Sequence, residues 1–251
     1  FNRALVRQGL SVMANRNRVG LVALSDVARV NSAPSSYHLG YLLGPRINAG
    51  GRVGAADLGA RLLATNDPSE AEALAERLDA LNTERRDIEA TVLAQATQQA
   101  EERGVTRGLV WAAADGWHPG VVGIVAARLK EAFNRPAVVI GIAGGEGKGS
   151  GRSVNGVDLG SAISTLTREG LLLKGGGHKM AAGLSVSIDK LDAAMERLTE
   201  LLEKQGSANA GPTDLRIDGL ISPKGASVEL IEQLEQAGPF GAASPAPRFA
   251  L

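Results

Sequence analysis

The sequence contains no cysteine, which excludes disulfide bonds, thiolate zinc sites and thiol nucleophiles. No apolar run is long enough to span a membrane, and no signal peptide opens the chain. Aromatic residues make up only 3% of the sequence, so aliphatic side chains must fill any core. From the lack of cysteine, of a membrane span and of a signal peptide we expect a protein of the reducing cytoplasm.

The sequence also lacks net charge, because its 27 basic residues balance its 27 acidic ones. Bulk charge therefore argues neither for nor against a nucleic-acid ligand, and any attraction to phosphate must come from local patches. With 44% hydrophobic and 22% charged residues, the composition is that of an ordinary globular protein. The 251 residues suffice for one large domain or two smaller ones.

A catalytic metal centre is a third absence. Such a centre needs several carboxylates and histidines that converge on one or two ions. The three histidines, His38, His118 and His178, stand far apart, and no Asp-rich motif accompanies them. No Ser–His–Asp arrangement can be justified either. We therefore expect no metal ligand and no hydrolytic nucleophile in this sequence.

The spacing of apolar residues predicts an α/β fold after residue 104. Strands are expected at 108–114, 137–142 and 182–188, and helices at 119–133, 159–169 and 190–204. Before them, residues 68–103 contain neither glycine nor any further proline after Pro68, which predicts a single helix roughly 50 Å long. Asp67 or Ser69 would cap this helix, and Gly104 would end it. Its length suggests a connector between two lobes.

The two ends of the chain are less regular. Helical spacing covers residues 4–30, with a helix break or a cap at Ser25 and Asp26. A turn-rich segment follows at 31–54, and a helix is expected at 55–64. Residues 205–213 have the composition of a linker, and a helix is expected at 228–236. The chain begins with Phe1 and ends in a strand-like run, so we expect it to be a piece of a longer protein.

Residues 144–153 form the first candidate site. They combine five glycines, two serines and two cations, so backbone N–H groups, Ser150, Arg152 and Ser153 could all donate to a phosphate. The spacing matches neither a Walker loop nor a dinucleotide fingerprint. A flexible hairpin loop is the structural alternative.

Residues 174–183 form the second candidate site. Three glycines precede His178, a pattern that indicates close approach of the backbone to another group. His178 could donate to a phosphate or a base, with Gly176, Gly177 and Lys179 beside it. The two flanking lysines, Lys174 and Lys179, and an expected exposed loop favour this function, and a purely structural histidine is the alternative.

Two weaker signals complete the set. His118 stands at the start of an apolar helix, where free N–H groups favour an anion, although it could be only a cap. Arg46, Asn48 and Arg52 occupy the glycine-rich segment 44–52, where the two arginines could clamp phosphates. Surface arginines are common, so this segment alone decides nothing.

Four motifs in order, at residues 44–52, 118–126, 149–153 and 176–183, give the chain its resemblance to the RecJ family. This family comprises 5′-to-3′ exonucleases specific for single-stranded DNA within the DHH phosphoesterase superfamily. The resemblance covers essentially the whole chain. It implies the end of a DHH domain at 1–66, a connecting helix at 67–104, a DHH-associated domain at 105–205 and the start of an OB-type domain at 213–251.

The resemblance also implies functions for the candidate residues. Mn²⁺ or Mg²⁺ would be held by residues upstream of this chain, and single-stranded DNA would be the ligand. Ser150, Arg152 and Ser153 would grip the backbone or its 5′-phosphate, Arg46 and Arg52 would add charge, and His118 and His178 would line the groove near the scissile phosphate. A helicase and a single-strand-binding protein are candidate protein partners.

Two other functions remain open at this point. A related phosphoesterase could act on short oligonucleotides or cyclic dinucleotides, since the glycine-rich histidine motif is shared across the superfamily. A non-catalytic nucleic-acid-binding module, such as the related domain of alanyl-tRNA synthetases, is the other. An Asp-His-His motif upstream in the gene would indicate the nuclease, and a synthetase or editing domain would indicate the module.

Overall fold

The computed structural model describes residues 2–105, 107–209, 215–241 and 244–251. The chain divides into two compact units. The first comprises residues 1–83 and 213–251, and the second comprises residues 84–212. None of the helices within the described ranges has both the length and the apolar character that spanning a bilayer requires.

Short helices make up the first part of unit one. They are α1 (Asn2–Ala14), α2 (Val19–Val27), a π-helix (His38–Leu43), α3 (Gly44–Val53) and α4 (Leu58–Ala64). The helix break predicted at Ser25 and Asp26 was wrong, because both residues lie inside α2 and the chain turns at residues 15–18 instead. Arg16, with a φ of 53°, makes that turn and pairs with Asp26.

The turn-rich segment predicted at 31–54 was also partly wrong, since residues 38–53 are helical. Gly50 in this segment and Gly59 on the following α4 serve helix packing. A methyl group on Gly50 would lie 3.0 Å from the Ala55 carbonyl oxygen and 3.2 Å from Leu78 Cδ2. A methyl group on Gly59 would lie 2.7 Å from Ile47 Cγ2. Glycine here permits close approach between helices, which a single sequence does not distinguish from a turn signal.

The long helix α5 runs from Pro68 to Arg103, as predicted. Asp67 caps it, since its Oδ1 accepts from the Ser69 N–H at 2.9 Å. Gly104, with a φ of 79°, ends it. The boundary between the two units falls inside this helix, after Thr83. Its buried hydrophobic residues are Ala71, Leu74, Ala75, Leu78 and Leu81 in the first part and Val92, Ala96 and Ala100 in the second.

Unit two is built on a mixed five-stranded sheet. Its strands are β1 (Val110–Asp115), β2 (Ala137–Ala143), β3 (Glu146–Arg152), β4 (Lys174–His178) and β5 (Ala181–Ser187), in the spatial order β1-β2-β3-β5-β4. β1 and β2 are parallel and are joined by α6 (Pro119–Phe133), while the other neighbours are antiparallel. The predicted α/β fold is therefore confirmed.

Helices cover the two faces of this sheet unequally. On one face, α6 and the end of α5 bury Val121, Val125 and Val139. On the other face, α7 (Leu159–Arg168) and α8 (Leu191–Glu203) bury a larger core, each large aliphatic side chain contributing about 1.5–3 kcal/mol. The part of the first face formed by β5 and β4 is left exposed, including Gly176, His178 and Gly183.

The edge strand β1 is protected by side chains of α5. The Gln99 amide both donates to and accepts from the backbone of Ala113, each at 3.1 Å. Arg103 donates to the Trp111 carbonyl at 2.9 Å and lies 3.9 Å above that indole ring. Burial lowers the pKa of the Arg103 guanidinium. These contacts satisfy backbone groups that an edge strand would otherwise leave unpaired.

The C-terminal residues of unit one contain β6 (Gly219–Leu220), α9 (Val228–Gln236) and β7 (Phe249–Ala250), with β6 and β7 paired in parallel. Arg3 and Arg7 of α1 donate to carbonyls at the end of α9, Arg3 to Ala237 and Arg7 to Gly238. Residues 210–213 of the predicted linker lie outside the described residues, and the OB-type domain stays a prediction.

Candidate nucleic-acid interface

The glycine-rich segment 146–152 is the central strand β3, where an exposed anion-binding loop was predicted. Only Gly144 and Gly145, with φ of 58° and 80°, form the turn that precedes it. The backbone of β3 pairs with β2 on one side and β5 on the other, so its N–H groups serve the sheet. The anion-loop interpretation of this segment was therefore wrong.

The glycines of β3 face the larger core because side chains alternate across a strand. A methyl group on Gly149 would lie 2.8 Å from Ile140 Cγ1, and one on Gly151 would lie 2.7 Å from Leu159 Cδ2. Neighbouring side chains thus already fill the space above these glycines. The same alternation places Lys148, Ser150 and Arg152 together on the opposite face.

The side chains of Ser150 and Arg152 are hydrogen-bonded to each other beneath α6 and form a donor pair. Arg152 Nη1 donates to Ser150 Oγ at 2.9 Å and to the Gly151 carbonyl at 2.8 Å. Gly123 of α6 makes room for them, since a methyl group there would lie 3.0 Å from Ser150 Oγ and 3.1 Å from Arg152 Nη2. A planar guanidinium beside a hydroxyl is suited to bind the oxygens of a phosphate.

The second glycine-rich segment is a β-hairpin, where an exposed loop was predicted. β4 and β5 pair from Lys174 opposite Ser185 to His178 opposite Ala181. Combined with the pairing of β3 and β5, this register aligns residues of β3, β5 and β4 in three rows on the face of the sheet that α6 covers in part. The rows are Arg152–Ala181–His178, Ser150–Gly183–Gly176 and Lys148–Ser185–Lys174.

Both candidate histidines are held in one tautomer by backbone hydrogen bonds. The Gly120 N–H donates to His118 Nδ1 at 3.0 Å, and the Met180 N–H donates to His178 Nδ1 at 3.3 Å. Since Nδ1 accepts in each neutral ring, Nε2 carries the proton and is a donor. Each histidine can therefore donate to a phosphate oxygen through Nε2.

The two histidines lie at different ends of the interface. His178 is exposed and lies in the row of Arg152, with Ala181 between them. His118 is half-buried and caps the start of α6. The carbonyl of the adjacent Trp117 lies against Gly141, the partner of Lys148 in β2. The structure thus brings His178, Ser150 and Arg152 onto one face and places His118 beside the Lys148 end of it.

Ser153 does not reach this face. Its side chain is 1% exposed, and its Oγ donates to the Val157 carbonyl at 2.8 Å. Its N–H donates to the Met180 carbonyl at the tip of the hairpin. Ser153 therefore fixes the turn after β3, and the phosphate contact predicted for it finds no support.

Gly177 and Lys179 help to shape the β4–β5 hairpin. A methyl group on Gly177 would lie 2.5 Å from Ala182 Cα, so this glycine is required by the hairpin itself. The Lys179 carbonyl accepts from the Leu159 N–H at 3.1 Å, which ties the tip of the hairpin to the start of α7. The Lys179 side chain is exposed at this tip.

Arg46, Asn48 and Arg52 lie in the other unit, on helix α3. Arg46 is held inside that unit, since its Nε donates to Asp79 Oδ1 at 2.7 Å and its Nη1 to the Leu42 carbonyl at 2.7 Å. The phosphate clamp of two arginines is therefore not supported for Arg46. Asn48 and Arg52 are exposed and four residues apart, which places them on one face of α3.

Sequence reasoning overlooked two contributors to the interface. Gly123 was not singled out in the sequence, although the space it leaves is what admits Ser150 and Arg152. Lys174 was not singled out as a ligand residue either, although the register places it in one row with Lys148. The period-two alternation of glycine and polar residues at 147–152 was the available signal for the strand face.

Comparison with known proteins places this geometry in a known context. Residues 106–204 match the DHHA1 domain family. The chain is 40% identical over 258 aligned positions to the single-stranded-DNA-specific exonuclease RecJ of Dickeya dadantii and 38% identical to that of Escherichia coli. In both cases the match covers 99% of this chain. The chain is a RecJ homologue.

Solved RecJ structures agree with the sequence comparison. The crystal structure of RecJ from Thermus thermophilus in complex with Mn²⁺ matches with a TM-score of 0.82 at 31% identity, over 97% of this chain and 36% of that one. A Mg²⁺ complex of the same RecJ matches equally well, with a TM-score of 0.81. The chain spans 45% and 44% of the lengths of the two curated RecJ relatives, so it corresponds to about half of such a protein.

Proposed function

We propose that this chain is the DNA-positioning part of a 5′-to-3′ exonuclease specific for single-stranded DNA. The observation that carries the proposal is the Ser150–Arg152 donor pair, which lies beneath α6 and beside the exposed β5 and β4 strands of a DHHA1 domain, in a RecJ homologue. Because the relatives are named for single-stranded DNA, the anion that fits this pair is a phosphate of such a strand.

The residues would act by binding and orienting the substrate. The Arg152 guanidinium and the Ser150 hydroxyl would hold the terminal 5′-phosphate, and the Nε2–H groups of His118 and His178 would donate to phosphate oxygens nearby. Lys179 and an open surface at Gly176 would let the backbone approach. Donors that are already in place cost no reorganisation when the strand binds.

The metal ions of the proposed enzyme are assigned to no residue of this chain. Within the described ranges, no three histidine, aspartate or glutamate side chains come together in a way that could hold an ion. Mn²⁺ and Mg²⁺ are present in the RecJ structures from Thermus thermophilus. We propose that such ions are bound by a part of the enzyme outside this chain.

Three further points stay proposals. The domain boundaries at residues 66, 104, 205 and 213 rest on resemblance. A helicase and a single-strand-binding protein are proposed partners, since an exonuclease needs an unwound and accessible strand. The cytoplasmic location expected from the lack of cysteine is likewise a prediction.

The direct test of the proposal is the substitution Arg152→Ala. We expect weaker binding of this chain to every single strand regardless of base sequence, because a phosphate contact carries no sequence information. The slope of log affinity against log salt should flatten by about 0.7 for one lost phosphate contact. Fluorescence anisotropy of a labelled oligonucleotide at several salt concentrations measures both quantities.

Arg168→Ala is the matched control, since Arg168 lies on α7, which covers the opposite face of the sheet. A strand with a 5′-phosphate should bind more tightly than the same strand with a 5′-hydroxyl, and Arg152→Ala should remove that preference. An unchanged salt slope in Arg152→Ala would remove Arg152 from the phosphate path. Tighter binding of a cyclic dinucleotide than of the strand would favour the alternative phosphoesterase.

A second test concerns catalysis. Since the described residues provide no cluster for a metal ion, this chain alone with added Mn²⁺ should release no mononucleotides from a 5′-labelled strand. The label would be followed by gel electrophoresis over a time course. Release that co-purifies with the chain and disappears in a chelator would show that it holds a complete active site.

A further inference from the structure

A shallow depression of about 450 Å³ lies on the open face of the sheet, beyond the edge of α6. It is lined by residues of β3, β5 and β4, among them Lys148, Lys174 and Ser185. This depression is one row along the strands from Ser150, because Lys148 precedes Ser150 by two residues. Two residues of a strand span roughly 7 Å, which is about one nucleotide step of an extended strand.

Lys148 and Lys174 face each other across Ser185. The pairing of β3, β5 and β4 puts the three residues in one row, so the two lysine Cα atoms are about 10 Å apart. Both lysine side chains are exposed, and neither ammonium group makes a hydrogen bond or an ion pair with any other described residue. Two ammonium groups and a hydroxyl can therefore converge on one anion between them.

The charged groups on this face are mostly positive. Arg152 shares it with the two lysines, and β4 and β5 contribute no acidic residue. Glu146, the first residue of β3, is the acidic group on the same face, and it lies beyond Lys148 at the end away from Ser150. Positive charge is thus continuous from Lys148 to Arg152.

Gly176 and Gly183 form the surface between the lysine row and Arg152, so no side chain projects from the sheet there. A methyl group on Gly176 would meet no described atom within 4 Å, and one on Gly183 would lie 3.9 Å from its nearest neighbour, the Gly149 carbonyl oxygen. In contrast, Gly175 and Gly177 are required by packing, since methyl groups there would lie 2.6 Å from Ile163 Cγ2 and 2.5 Å from Ala182 Cα. No described atom demands glycine at 176 or 183, so a strand can lie close to the backbone there.

We propose that Lys148, Lys174 and Ser185 form a second phosphate subsite for the strand whose terminal phosphate is held by Ser150 and Arg152. This inference rests on the proposed function. The sugar of the first nucleotide lies over Gly183 and Gly176, and the phosphate that follows it lies between the two lysines. The site therefore recognises at least two consecutive phosphates of a single strand.

The test compares ligands that differ by one phosphate. Thymidine 5′-monophosphate and its 5′-phosphorylated dinucleotide would each compete with a labelled oligonucleotide for this chain. In the unmodified chain, the dinucleotide should bind about tenfold more tightly than the monophosphate, as expected for one charge-assisted contact. In the double variant K148Q/K174Q, this advantage should vanish while the affinity for the monophosphate stays the same.

Two controls separate charge from folding. Lys204→Gln removes the same charge from an exposed lysine at the end of α8, on the opposite side of the sheet, and should change neither affinity. The variant K148R/K174R should restore the dinucleotide advantage, since arginine also binds phosphate. An undiminished advantage in K148Q/K174Q would overturn the second subsite and leave the proposed function intact. If the unmodified chain bound no phosphorylated ligand, both proposals would fall.

Discussion

His118 shows how one side chain can serve the fold and the ligand through different atoms. Its Nδ1 accepts from the Gly120 N–H and caps α6, and its Nε2–H is left as a donor. A structural cap and a functional histidine were competing interpretations of the sequence. The geometry supports the cap directly and leaves the second nitrogen available for the proposed phosphate contact.

Replacing His118 by asparagine separates the two functions. Asparagine is a good N-cap, so its side-chain oxygen can replace Nδ1, and the free energy of unfolding should change by less than about 0.5 kcal/mol. The donor at Nε2 is lost, so the affinity for a 5′-phosphorylated strand should fall about tenfold. Urea unfolding and fluorescence anisotropy measure the two effects.

His118→Ala is the companion variant, because alanine provides neither the cap nor the donor. It should lower the free energy of unfolding by about 1 kcal/mol and weaken strand binding to the same degree as asparagine. Full strand affinity in His118→Asn would mean that His118 acts only as a helix cap.

Strand β3 shows how alternation divides one sequence motif between two tasks. Gly147, Gly149 and Gly151 admit the side chains of the larger core, and Lys148, Ser150 and Arg152 face the open surface. Glycines in a strand are costly in conformational entropy, so their presence needs a reason. Here the reason is the volume of Ile140, Leu159 and Leu184 against them.

The two kinds of glycine in this sheet predict opposite results for the same substitution. Gly149→Ala would place a methyl group 2.8 Å from Ile140 Cγ1 and 3.1 Å from Leu184 Cδ1, so it should cost about 1–3 kcal/mol of unfolding free energy through overpacking. In Gly183→Ala the nearest atom to the new methyl group is the Gly149 carbonyl oxygen at 3.9 Å, so this change should cost nothing, since alanine loses less entropy on folding. Equal costs in urea unfolding would contradict this assignment of faces.

At the scale of the whole molecule, balanced charge coexists with a local basic face. Zero formal net charge leaves no general attraction to DNA, and the proposed binding depends on how the strands of unit two align their side chains. Apart from Glu146, several acidic residues of that unit form ion pairs and hydrogen bonds that stabilise the fold. Glu169 pairs with Arg197 at 2.8 Å, and Glu203 accepts from the Gly108 N–H at 3.0 Å.

These carboxylates predict acid sensitivity of the fold. The hydrogen bond from Gly108 lowers the pKa of Glu203, and the Arg197 hydrogen bonds lower the pKa of Glu169. Among the described groups with a resolved shift, every carboxylate moves in this direction; they are Glu70, Glu169, Asp189, Glu203 and Glu229. A lowered pKa means that the unfolded chain binds protons first as the pH falls.

The stabilisation by these groups should therefore be complete at neutral pH and be lost progressively below the ordinary glutamate value of 4.5. The urea midpoint should fall as the pH is lowered through that range. Glu203→Gln should have a lower midpoint at neutral pH and a shallower decline in acid. A midpoint that rises on acidification would contradict the direction of these shifts.

The sequence by itself determined the elements whose signals are local. Helix α5 was predictable from Asp67, the absence of glycine and of internal proline, and Gly104, because caps and breakers act within a turn of the helix. The start of α6 at Pro119 and the amphipathic helices α7 and α8 were predictable for the same reason. The four motifs also indicated the RecJ family, because each is a short run of adjacent residues.

Only the tertiary structure decided which of the candidate residues share a surface. Arg46 is bound by Asp79, which is 33 residues away, and the backbone of Ser153 is held by Met180 of a hairpin that follows a whole helix later. Whether a glycine makes a turn, admits a core side chain or leaves open space depends on atoms brought together by folding, as Gly50, Gly149 and Gly183 illustrate. Such contacts are long-range, so no local pattern encodes them.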